Sequence, residues 1–205
     1  MIREAKGVAL HDLSFWSSTL PLLDGLPRVM KEYSHEYGPP VYLRLESAEG
    51  RQLHEQTLDK FAEAVSGAQL PAFPLATPAD RMASSLLDLM RSKESRGRPR
   101  INEPISGFGA VIGGSCDLLW EPYVVELKVT AKRPGVRDVR QALVYAGLLN
   151  LDRGLNAEYA LVANPRLGVA LDFEISELLS MTGGLSLADF AAELGTFLVA
   201  AGQSG

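Results

Sequence analysis

Cysteine is almost absent from this chain. Cys116 is the only one in 205 residues, which excludes an internal disulfide framework, a zinc site built on cysteines and a cysteine-ligated iron–sulfur cluster. Long apolar runs are missing as well, since none approaches the roughly 20 residues that cross a bilayer. The opening Met1-Ile2-Arg3-Glu4-Ala5-Lys6 lacks the basic-then-apolar layout of a secretory leader. The expectation is a cytoplasmic protein with no membrane partner. Repeats and low-complexity segments are also lacking. What remains, 46% hydrophobic and 22% charged residues, is an ordinary globular composition, read as one domain with elaborations.

The formal net charge of −5 argues against a wholesale nucleic-acid coat. Its distribution is uneven. Residues 91–140 hold ten of the 20 Lys and Arg against six acids, a net +4 that leaves −9 elsewhere. A positive patch beside carboxylates suits a phosphate polymer. A solvated basic loop from Arg91 to Arg100 explains part of the same excess.

Helical spacing over residues 12 to 33, broken by Pro21 and Pro27, predicts two short helices, and Val41–Leu45 alternates as a strand. Helices are expected over Arg51–Val65 and Pro78–Ser92, separated by a proline-rich linker, residues 67–78. Three consecutive strands should follow: Gly107–Gly113, Cys116–Trp120 and Tyr123–Val129. A helix over Arg137–Leu151 has Asp138 in its first turn, and strands Tyr159–Ala163 and Val169–Phe173 come next. Ser186 caps a final helix. The helix between the third strand and the apolar fourth implies a crossover to a parallel neighbour, hence an α/β fold with a central mixed β-sheet flanked by helices. The divisions are an N-terminal helical and strand extension (1–49), a core (50–175) and a C-terminal helix packing on the core (176–205).

One local pattern carries chemistry. Glu126-Leu127-Lys128 lies nine residues after Asp117, with the turn-like Glu121-Pro122 midway. A hairpin centred there pairs Trp120 with Tyr123, Leu119 with Val124, Leu118 with Val125 and Asp117 with Glu126. Opposed residues have Cβ atoms roughly 5 Å apart, so two carboxylates would meet on one face. Such a pair needs neutralising, and a hard divalent cation with oxygen ligands does so economically. Lys128, two residues beyond Glu126, projects from the same face. Spacing alone leaves Lys128 divided between a hydrolytic role and an ordinary salt bridge.

Four motifs on these elements together resemble the RecB-like branch of the PD-(D/E)xK nucleases. Gly50-Arg51-Gln52-Leu53-His54 fits G-x-x-x-H at the first core helix, and Gly114-Ser115-Cys116-Asp117 fits G-x-x-D. Glu126-Leu127-Lys128 fits E-x-K, and Gln141-Ala142-Leu143-Val144-Tyr145 fits Q-x-x-x-Y on the helix that follows. No single motif is specific; their order and setting carry the likeness, over roughly residues 50 to 175. The chain departs from the pattern where Cys116 replaces the proline before the strand acid, and in lacking the four cluster cysteines of several members.

The resemblance implies a restriction-endonuclease-like core and a metal-dependent deoxyribonuclease, acting as an exonuclease or flap trimmer in repair, recombination or antiviral defence. It implies Asp117, Glu126 and Lys128 as catalytic residues, with Mg²⁺ or Mn²⁺ held by His54, Asp117, Glu126 and the Leu127 carbonyl. Imidazole suits Mn²⁺ better than Mg²⁺. Gln141 and Tyr145 share a helix face and would contact DNA or steady the lysine. Arg137 and Arg140 are candidate phosphate contacts at the same helix's amino end. Trp120 and Tyr123 read either as base-stacking groups or as a packed cross-strand pair. A homo-oligomer, or membership of a larger repair or defence complex, is compatible with this reading. The alternative is a non-catalytic nucleic-acid-binding or scaffold subunit that keeps the fold.

Overall fold

The computed structural model describes residues 8–9, 23, 25–29, 35–36, 47–109 and 111–203. Its elements are β1 (Val8–Ala9), α1 (Leu26–Val29), β2 (His35–Glu36), α2 (Ser47–Val65), α3 (Pro78–Arg91), β3 (Arg100–Ile105) and β4 (Val111–Ile112). They continue with β5 (Gly114–Trp120), β6 (Tyr123–Leu127), α4 (Val136–Arg153), β7 (Tyr159–Asn164), β8 (Val169–Glu174), α5 (Ile175–Gly183) and α6 (Leu187–Gln203). A six-stranded mixed sheet runs in the order β2-β8-β7-β6-β5-β3. Its β6–β7 pair is parallel and the others antiparallel. The crossover through α4 makes that parallel pair, as the sequence order requires. This is an α/β fold.

Alternation along β5 and β6 sends neighbouring side chains into two different layers. Leu119 and Val124 join Leu143, Phe173, Phe190 and Leu194 beneath α4, α5 and α6. Leu118 and Val125 join Phe61, Met82, Leu86 and Leu161 beneath α2 and α3. All five residues of β6 are buried, which is why that strand reads as continuously apolar rather than alternating.

Helix ends follow local chemistry. Thr77 caps α3 reciprocally with Asp80, and Asp138 accepts the Gly135 N–H at 2.8 Å to start α4. Gly154 stops α4 at φ 63°, and Ser186 accepts the Asp189 N–H at 3.1 Å before α6. Where α4 meets α6, a Cβ on Gly147 would lie 3.0 Å from both Leu194 and Phe190 side-chain atoms. Gly147→Val should therefore push the helices apart and lower stability by about 1–3 kcal/mol, measurable by chemical denaturation.

Several elements differ from expectation. Instead of a strand over 107–113, the sheet's outer strand is β3, and among the described residues of that range Val111–Ile112 form the strand, pairing parallel with β1. As the edge strand of the sheet, β3 tolerates the missing N–H of Pro104. The short helix α5 was not foreseen. Helix α1 contains Pro27, while the rest of the 12–33 region, apart from Leu23 and Gly25, and the Val41–Leu45 strand lie outside the described residues. Within the first 49 residues, β2 adds to the sheet beside β8. Among the described residues no single helix is long and apolar enough to cross a membrane. The bent α5–α6 pair meets that test by length and composition, yet Leu178, Leu179, Phe190, Leu194 and Leu198 are buried in the core.

Candidate metal centre

The β5–β6 ladder has the expected register through Trp120–Tyr123, Leu119–Val124 and Leu118–Val125. It stops one step before the acids. Asp117 Oδ2 accepts the Leu127 N–H at 2.7 Å, so a carboxylate takes the place of a strand partner and the two strands part. Glu126 and Lys128 stand on the α4 side, where Lys128 reaches Gln141, whereas Asp117 meets His54 of α2; strict alternation ends there, because Cys116 lies in the same core layer as Leu119.

His54, from the first half of α2, places Nε2 3.1 Å from Asp117 Oδ1. Gly50, one turn earlier, packs close to the Val129 carbonyl just beyond β6. Lys128 Nζ donates to Glu126 Oε1 at 2.6 Å and to Gln141 Oε1 at 2.9 Å. Asp138 Oδ1 is 3.7 Å from the same nitrogen. Gln141 Nε2 in turn donates to the Tyr145 hydroxyl. Glu126 is 4% exposed, and its Oε2 is buried with no hydrogen-bond partner.

Burial disfavours a Glu126 anion, Asp117 opposes it further, and the pull of Lys128 is too small to compensate, so the carboxyl is pushed up to about 8. Burial alone would lower Lys128, but the Glu126 charge and hydrogen bond, then Asp138 and Asp117, raise it. The pair thus consists of a firmly held ammonium and a carboxyl that resists ionisation. In this state Lys128 is a donor and a positive charge, not a base. Burial, followed by Glu126, also raises Tyr145. Cys116 is pushed up to about 12 by burial and then by Asp117 and Glu126, so the lone thiol is no nucleophile.

Among the described residues, no three His, Cys, Asp or Glu side chains are grouped as a metal-holding cluster. Internal pairs close the centre instead, His54 on Asp117 and Lys128 on Glu126. The donor set nonetheless fits a hard divalent cation: two carboxylates share a low-dielectric site and one oxygen is orphaned.

The structure therefore brings His54, Asp117, Glu126, Leu127, Lys128, Gln141 and Tyr145 together. Arg137 is exposed and Arg140 half-buried in the first turns of α4. The basic stretch from Arg91 to Arg100 is not beside the carboxylates. Arg96 N bonds Glu121 O, Arg100 Nη2 bonds Glu121 Oε1 at 2.6 Å, and Trp120 Nε1 bonds Gly97 O at 3.2 Å. These contacts put it at the hairpin turn, the opposite end of the sheet. A cleft of about 580 Å³ there is lined by Arg96, Arg100 and Arg153, but their partners Glu158, Glu121 and Glu103 balance them. Trp120 and Tyr123 are register partners, but their rings pack elsewhere: Trp120 meets Phe61 edge-on at 6.2 Å, and Tyr123 stacks on Tyr159 at 4.8 Å.

Three further residues lie outside the site expected from sequence. Asp138, in the first turn of α4, also faces Lys128. Asn164, at the end of β7, is fully buried, and Arg166 in the turn that follows is 4% exposed. An Asn-Pro pair closing an apolar strand was the available signal. Compared with family models, curated proteins and solved structures, the chain matches none of them.

Proposed function

We propose that this chain is a Mg²⁺- or Mn²⁺-dependent nuclease hydrolysing DNA phosphodiester bonds, as an exonuclease or flap trimmer in repair, recombination or defence against foreign DNA. One observation carries the reading: a buried glutamate with an orphaned oxygen lies within the electrostatic reach of Asp117 and beside a lysine already clamped by Gln141. The four motifs resembling the RecB-like PD-(D/E)xK branch supply the residue types, and the restriction-endonuclease-like core belongs to the same proposal. Asp117 and Glu126 would hold the cation, helped by His54 and the Leu127 carbonyl. When bound, it supplies Lewis-acid activation of water and neutralises charge on the phosphoryl group.

The chain's own residues do the rest. Lys128 Nζ, with one proton directed at Glu126 and one at Gln141, has a third to place on a non-bridging phosphate oxygen or on the attacking water. Tyr145 fixes the Gln141 amide, which fixes the direction of that third proton. Asp138 joins this charge to the start of α4, where Arg137 and Arg140 and the helix dipole favour phosphate. Gln141→Ala leaves the ammonium held by acids alone and should lower kcat by about 10–100-fold, read in single-turnover cleavage.

The decisive experiment incubates the protein with end-labelled single- and double-stranded DNA and RNA, with Mg²⁺, Mn²⁺ or chelator. DNA cleavage that chelator abolishes is expected; no cleavage, or cleavage indifferent to chelator, refutes the proposal. The self-satisfied pairs His54–Asp117 and Lys128–Glu126 favour a second reading, a non-catalytic nucleic-acid-binding or scaffold subunit of a larger complex. It predicts DNA binding with no cleavage in any metal.

A further inference from the structure

Asn164 ends β7 and is completely buried. Its Nδ2 donates to Thr130 O at 3.0 Å and to Lys132 O at 2.9 Å, and its Oδ1 accepts the Leu167 N–H at 3.3 Å. Both amide protons and an acceptor lone pair are used. One side chain thereby fastens the β7–β8 turn to the segment between Lys128 and α4. That segment needs such an anchor, because Thr130, Ala131, Lys132 and Arg133 are all exposed and contribute nothing to the core. Thr130 Oγ1 adds only local bonds to Lys132.

The position matters chemically. The segment leaves the carboxyl end of β6, which is parallel to β7, and such ends of an open α/β sheet are where ligands bind. It carries Lys132 and Arg133 and delivers the chain to the amino end of α4. We propose that Asn164 is a positioning residue for a nucleic-acid backbone. By gripping the Thr130 and Lys132 carbonyls, it keeps Lys132, Arg133 and the start of α4 in register with Lys128. This role rests on the nuclease reading above. Lys128 itself is held independently, by its own N–H to Ala163 O at 2.7 Å and by Gln141, so loosening the segment should weaken substrate binding more than chemistry.

The test compares the parent with Asn164→Ala, Asn164→Asp and Lys132→Ala. Hydrogen exchange of the DNA-free proteins should show faster exchange over residues 129–137 and 165–168 in both Asn164 variants. The increase should be larger for Asp, whose carboxylate faces two carbonyls with nothing to donate. In cleavage, Asn164→Ala should raise KM by about tenfold with kcat within about threefold, and Lys132→Ala should move KM in the same direction with a shallower salt dependence. Unchanged exchange overturns the anchor. An unchanged KM in either Asn164→Ala or Lys132→Ala, with a parent that cuts, overturns the substrate role alone. A parent that cuts no nucleic acid sinks the nuclease reading and this role with it.

Discussion

Glu126→Gln is expected to lower kcat for DNA cleavage by about a thousandfold or more while leaving thermal stability unchanged or raised. The amide is isosteric and keeps a carbonyl oxygen for the Lys128 hydrogen bond, so the local packing survives. What disappears is the anionic oxygen donor. Glu126 is 4% exposed and its carboxyl is pushed up to about 8, first by burial and then by Asp117. A raised carboxyl means the unfolded chain ionises before the folded one, so the cation-free protein should lose stability as pH rises from about 4.5 to about 8. Glu126→Gln should abolish that slope. Calorimetry across this window, beside single-turnover cleavage, checks both halves. A variant that still cuts at the parental rate removes Glu126 from the centre; one that loses its fold along with activity makes Glu126 a structural residue.

Lys128→Met should be nearly as inactive, but its stability should depend on pH in a diagnostic way. The ammonium is raised above its ordinary value because its attraction to Glu126, Asp138 and Asp117 outweighs burial. The ammonium itself stays charged until pH climbs beyond about 10.5, so across the acid and neutral range the strength of the pair is set by the ionisation of Glu126. Removing it leaves Glu126 beside Asp117 with neither of its oxygens paired. Where Glu126 must ionise, losing one partner of a buried pair costs about 3–5 kcal/mol; where it stays protonated, the cost is far smaller. The penalty for Lys128→Met should therefore be slight at pH 5 and large at pH 9. The double variant Lys128→Met, Glu126→Gln should recover most of the difference. Denaturant titrations at the two pH values suffice, and equal penalties at both would contradict the ion-pair description.

The sequence made some of this legible through local rules. The hairpin register followed from Glu121-Pro122 and the apolar residues around it, and the β6–α4–β7 crossover followed from element order. Asp138 and Ser186 marked their helix starts. Long-range placement was not legible. The basic Arg91–Arg100 stretch shares a composition window with Lys132 and Arg137, yet β5 separates the two ends, and its contacts with Glu121 become visible only once β3 is seen as the sheet edge. That edge strand contains Pro104, and a proline argues against a strand unless its position in the sheet is known. The parting of β5 from β6 at Asp117 was hidden for a similar reason. Pairing rules extend a ladder until something competes, and the competitor is a side chain accepting a backbone N–H. Asn164 acts across more than 30 residues of chain, beyond the reach of any periodicity.

Titration of Mn²⁺ into the metal-free protein, followed by calorimetry, tests the central claim most directly, with Asp117→Asn and Glu126→Gln as controls. A single saturable site in the parent, absent from both variants, is the expected result. No heat at millimolar Mn²⁺, or a parental isotherm that survives in either variant, would contradict the assignment of these two carboxylates to a cation.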